Sequence, residues 1–127
     1  MPLKWEISHQ RRLVTIVAEG FVPLEEVEEY YDAMVVANAL AYARLFDARA
    51  LDDKHASEED FMRFGARMSA YTAEFRFGPI AFVVGSKGVR EVIERCLNLA
   101  PADRPMKIFA SEVRARRWLE RQPAVLP

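Results

Sequence analysis

Pro79-Ile80-Ala81-Phe82-Val83-Val84-Gly85 contains no polar side chain. A strand with one wet face places a polar residue at every second position. An unbroken apolar run bounded by Pro and Gly therefore describes a strand covered by helices on both sides. This stretch is the expected central strand of an α/β sheet.

The chain on either side supplies the helices such a strand needs. After Gly85, Val89, Val92, Ile93, Cys96 and Leu97 recur at helical spacing up to Leu99, and Pro101 breaks the pattern. Residues 106–109 read as the last strand. Ser111 then caps a helix reaching Arg121, with Ala115, Trp118 and Leu119 inward and Arg114, Arg116, Arg117 and Arg121 toward water. Upstream, Ser57 caps a helix whose third following residue is Asp60, a relative of the capping box. Phe61, Phe64, Met68, Tyr71 and Phe75 form its apolar stripe. Residues 43–47 read as a short buried strand, followed by a polar connection over 48–56.

Pro23 opens a further helix with Leu24, Val27, Tyr31, Met34, Val35 and Asn38 on one face and five acids outside. Leu3, Trp5, Ile7 and His9 alternate with polar residues as an outer strand does, and residues 13–18 are its deeper hairpin partner. The predicted order is ββαβαβαβα: one α/β domain over residues 1–127, a mostly parallel five-stranded sheet opened by a hairpin, and four helices.

Composition limits the possible functions. With 51% hydrophobic and 29% charged residues, the 127-residue chain can bury a conventional core. Eighteen basic and nineteen acidic side chains give a formal net charge of -1, which supplies no field for collecting nucleic acid. The first ten residues lack a secretory pattern and the single Cys96 cannot form an internal disulfide, so a cytoplasmic location is expected. No apolar run approaches the roughly 20 residues of a membrane span.

The order, with Gly20-Phe21-Val22, Leu45-Phe46-Asp47-Ala48, Gly78-Pro79-Ile80-Ala81-Phe82-Val83-Val84, Ile108-Phe109 and Trp118-Leu119, resembles the STAS-like, SpoIIAA-like bacterial proteins over roughly residues 3 to 120. That resemblance implies a regulatory, protein-binding module. Better-known members of the class are anti-sigma-factor antagonists that exchange partners when a serine at a strand-to-helix junction is phosphorylated. Ser57 stands at a comparable helix start here, without the glycine that follows the serine in the regulators. Sec14-like relatives in the same fold group hold lipids, which implies the alternative of a small apolar ligand.

Several residue groups carry both a functional and a structural reading. Asp47 follows the expected strand end with Arg49 as an ion-pair partner; it can shape the loop or, with Arg49 and Ser57, form a partner surface. Ser86, Lys87 and Gly88 open a helix and can receive a small anion or simply make a capped turn; the spacing is not that of a Walker loop. Phe61, Phe64, Met68 and Tyr71 are richer in rings and thioether than sheet packing demands, and can line an apolar pocket or a subunit contact.

Asp52, Asp53, His55, Glu58 and Glu59 match no metal-ligand frame and read as a solvated acidic loop. Neither His9 nor His55 has a nucleophile and an acid in sequence-evident register, and Cys96 sits on an apolar helix face. No catalytic residue, metal or cofactor is therefore nominated, and the chain is expected to work by recognition rather than catalysis. Trp5 on an outer strand and Tyr30, read as exposed, suggest a homodimer contact.

Overall fold

A computed structural model describes residues 2–53, 57–99 and 104–125. The elements are β1 (Leu3–Ser8), β2 (Leu13–Gly20), α1 (Leu24–Val36), β3 (Ala43–Leu51), α2 (Glu58–Glu74), β4 (Ile80–Val83), α3 (Lys87–Leu99), β5 (Met106–Phe109) and α4 (Glu112–Glu120). This is the expected order. The sheet runs β1-β2-β3-β4-β5, with β1 antiparallel to β2 and every later pair parallel.

Strand pairing aligns the faces. Trp5 lies opposite Ile16, Ile16 opposite Phe46, and Phe46 opposite Phe82, so these four share one side of the sheet. Val14, Ile16 and Ala18 on that side pack with Tyr30, Tyr31 and Met34 of α1 and Met68 of α2. Ile80, Phe82 and Val84 pack there with Val89 and Ile93 of α3. On the opposite side, Leu45, Ala81 and Val83 meet Ala115 and Leu119 of α4. Helices thus cover the sheet unequally, three against one, and Lys4, Glu6 and Val17 on the α4 side remain exposed.

Four expectations change. β4 is buried on both faces as its sequence requires, yet it stands fourth of five, and β3 holds the middle. Cover by helices, not position, made that run apolar. β3 continues to Leu51, because Glu19 and Gly20 of β2 pair with Ala50 and Leu51 beyond a register shift. Residues 48–51 are therefore strand; residues 54–56, including His55, lie outside the described residues, as does Pro101. Asn38 does not extend the α1 stripe: its φ is 55°, and the Ala39 N–H donates to Met34 O at 2.9 Å, so it closes the helix in the left-handed conformation that Asn tolerates.

The fourth change concerns Tyr30, expected to be exposed. Tyr30 is 3% exposed, and half-buried Trp5 packs edge-on against it with ring centroids 5.5 Å apart. Tyr30 belongs to the interior between β1 and α1, with Trp5 at its margin.

Gly78 precedes β4 where the chain passes the α1-to-β3 connection. A Cβ there would collide with the carbonyl oxygens of Ala41 and Tyr42. This close approach fixes where β4 enters the sheet.

Candidate functional site

The three-helix side of the sheet is not filled solid. A cavity of about 190 Å³ lies between the sheet and α1, α2 and α3. Phe46, Ile80, Phe82 and Met106 form its floor, Val27, Tyr30 and Tyr31 one wall, Phe61, Phe64 and Met68 a second, and Ile93, Cys96 and Leu97 a third. Phe21, 42% exposed, brings the lining to the surface. An apolar, walled space of this kind is the usual form of a small-molecule site.

Local sequence explains the walls. Period-3.6 stripes on α2 and α3 put Phe61, Phe64, Met68, Ile93 and Cys96 toward the sheet. Their mixed sizes leave unfilled volume. Burial pushes the Cys96 thiol up to about 11, so it lines the cavity as a small hydrophobe rather than as a nucleophile.

The cavity's two ends differ in charge. Arg44 begins β3 and pairs in register with Ile80, which pairs in turn with Met106, so Arg44 and Arg104 lie at the amino-terminal edge of the parallel strands. Asp52 lies beyond the carboxyl end of β3, and Asp60 stands in the first turn of α2, two helical turns before Met68. Asp52, Asp60 and Arg104 all belong to the lining.

The cationic end is poorly satisfied. Arg44 is fully buried; its Nη2 donates to Leu40 O at 2.7 Å, but its Nε and Nη1 have no hydrogen-bond partner among the described residues. Its guanidinium carbon stands 5.3 to 5.8 Å from the ring centres of Phe77, Tyr30 and Tyr31. Arg104 donates from Nη1 to Gly78 O at 3.2 Å and stacks 4.8 Å from the Phe77 ring centre, while its Nε is buried without a hydrogen-bond partner among the described residues. The Tyr30 hydroxyl is likewise buried and makes no hydrogen bond of good geometry among the described residues.

Burial drives Tyr30 up to about 12, against the pull of Arg44, and drives Arg104 down to about 10, against the pull of Tyr31 and Tyr30. Arg104 therefore stays cationic at neutral pH. No carboxylate forms an ion pair with either arginine among the described residues.

The residues singled out from sequence are dispersed. Asp47 sits within β3, where its Oδ1 accepts from Arg49 N and Nε at 3.1 and 2.9 Å and its Oδ2 from Arg49 Nη2 at 2.8 Å. Arg49 Nη2 also reaches Glu112 Oε1 at 3.0 Å, tying β3 to the start of α4. The Arg49 guanidinium beside Asp47 holds that carboxyl below its ordinary range, and Asp47 in turn raises Arg49. Ser57 completes a capping box: its hydroxyl accepts from Asp60 N at 3.1 Å, and Asp60 Oδ2 accepts from Ser57 N at 3.3 Å.

At the start of α3, Ser86 Oγ accepts from Val89 N at 3.2 Å, and the Asp53 carboxylate occupies the space a side chain on Gly88 would need. Asp53 thus packs against the first turn of α3 at Gly88. Tyr71 lies outside the cavity lining; it donates to Asp32 Oδ1 at 2.6 Å and packs on Tyr31. His9 shares a hydrogen bond of 2.8 Å with the Tyr42 hydroxyl. Among the described residues, no three His, Cys, Asp or Glu side chains gather to hold a metal, and no helix is long and apolar enough to cross a membrane.

Sequence reasoning thus reached one wall of the cavity and missed its cationic end. Arg44 had a signal, a charge inside the short strand that had been read as buried. Arg104 had none: it stands alone in a Pro-flanked connection. Tyr30 was read onto the wrong face, because α1 is buried over a wider arc than its stripe suggests.

No known family model matches the chain, and no curated protein matches it. Among solved structures, it is similar to an uncharacterised protein of the DUF3478 family from Shewanella loihica, described as having a SpoIIAA-like fold. The two share 20% sequence identity with a TM-score of 0.60 over 92% of this chain and 93% of that one. Five strands and four helices in the order ββαβαβαβα, aligned along nearly all of both chains, give this protein a SpoIIAA-like fold.

Proposed function

We propose that this domain works by binding a small, largely apolar molecule in the cavity beneath α1, α2 and α3, and that it carries out no bond-making of its own. The observation that carries this reading is the cavity itself: about 190 Å³ walled by Phe61, Phe64, Met68, Phe82 and Ile93. An apolar hollow of this size, walled by three helices and reaching the surface at Phe21, has the form of a small-molecule site. Native mass spectrometry of the purified chain is expected to detect a stoichiometric small-molecule adduct. Cys96→Phe, which places a ring in the cavity, is expected to abolish the adduct while the chain stays folded by circular dichroism. Absence of any adduct from the wild-type chain, with no uptake of added apolar compounds, rules the reading out.

A second reading, a regulatory protein-binding module of the STAS type, rests on the surface around Ser57. Met62, 65% exposed one turn beyond the helix start, offers that surface an apolar contact beside Glu58 and Glu59. Arg49 and Asp47 already satisfy one another and Glu112, which leaves them less free to meet a partner. Phosphorylation of Ser57 in cells, read by mass spectrometry, together with a partner lost on Met62→Glu, would favour this reading over the first.

A further inference from the structure

The geometry points to a ligand that is a monocarboxylate of about seven or eight carbon atoms in all, its head held by Arg104 and Tyr30 at the amino-terminal edge of the sheet and its tail lying along Phe82 and Ile93. This rests on the ligand-binding reading above and specifies the chemistry of the occupant. Three observations carry it.

The first is unmet hydrogen-bonding capacity. Arg104 Nε and the Tyr30 hydroxyl belong to residues lining the cavity and, among the described residues, make no hydrogen bond of good geometry. Tyr30 is 3% exposed, so water reaches it poorly. A buried donor left unpaired loses its hydration without replacement, so two of them at one end of an apolar space select an acceptor. The second observation is the sign of the charge. Arg44 stands behind Tyr30 as a further unneutralised guanidinium, and no described carboxylate pairs with either arginine. Two cations over the same Phe77 ring repel each other, and an anion between them and the cavity relieves both. Asp52 and Asp60 at the far end repel the same anion and so set its orientation.

The third observation is size. An apolar cavity of about 150 Å³ holds benzene, six carbons, so 190 Å³ holds roughly seven or eight by the same ratio. A carboxylate accepts from both Arg104 and Tyr30, with the planar guanidinium matching its geometry.

Calorimetric titration of the full chain with octanoate, 3-phenylpropionate and the neutral octan-1-ol tests this. Octanoate is expected to bind at least tenfold more tightly than octan-1-ol, and comparison with 3-phenylpropionate tells a linear tail from a ring. Arg104→Met is expected to weaken octanoate at least tenfold while leaving octan-1-ol within about threefold, and Tyr30→Phe to weaken octanoate about fivefold. Octan-1-ol binding as tightly as either acid, or Arg104→Met binding octanoate like the wild type, overturns the inference and leaves the apolar site standing. Failure of all three compounds to bind overturns both. Because the acid-to-alcohol ratio is read on the unmodified chain, a variant that does not fold leaves the test intact.

Discussion

Arg44 is the residue at which local sequence and fold disagree most. Four residues of β3, Ala43-Arg44-Leu45-Phe46, enter the middle of the sheet, and the arginine takes an inward-facing position with no exposure at all. One bond to Leu40 O and three ring contacts at 5.3 to 5.8 Å offset part of the desolvation. Two guanidinium nitrogens have no hydrogen-bond partner among the described residues, and each unmet buried donor costs about 1–3 kcal/mol. The deficit outweighs the ring contacts, which lie near the outer limit of useful distance. Arg44→Met, of similar length and without charge, is therefore expected to stabilise the ligand-free protein by about 1–2 kcal/mol in urea unfolding. Loss of stability by that amount would mean that the ring contacts dominate. A buried charge that costs stability is the pattern expected where function sets the requirement.

At the scale of elements, β3 carries the largest departure from expectation. Residues 48–56 read as a connection, but pairing with the end of β2 keeps the backbone extended through Leu51. Side-chain polarity marks only what faces water, and an extended strand end can face water. Asp47 is consequently held in a strand beside Arg49 and α4 rather than at a strand terminus. Because its carboxyl titrates below the ordinary value of 3.8, the protonated form is the less favoured one in the folded state. Its contribution to stability is fully present above the unfolded value and is lost as pH falls through the lower, folded value. Wild type and Asp47→Asn are thus expected to differ by a constant amount above about pH 5 and to converge below pH 4 in thermal melts across that range. A difference independent of pH would show that the network acts through hydrogen bonding alone.

For the molecule as a whole, the unequal layering separates stability from binding. α4 alone covers its side of the sheet, with Leu119 7% exposed against Leu45, Ala81 and Val83. The cavity lies on the opposite side, beyond the plane of the strands. Leu119→Ala is expected to cost about 2–5 kcal/mol in urea unfolding, as other buried leucines do, while leaving ligand affinity at low denaturant within about twofold. Loss of binding in step with stability would mean that the two faces are coupled through the sheet. Neither the layering nor the cavity could be read by counting apolar stripes. All four helices carry one, and only their placement shows that three share a face.

The sequence by itself determined the element order, the hairpin start, the doubly covered β4 and the capped starts of α2 and α4, because each depends on periodicity and capping within a few neighbouring residues. It also placed Phe61, Phe64 and Met68 on an inward face. Tertiary structure alone decided that Tyr30 is buried, that Arg44 and Arg104 come to one end of a cavity, and that Asp53 lies against Gly88. Those arrangements join residues separated by tens of positions, and whether a polar atom finds a partner depends on what the folded chain brings beside it.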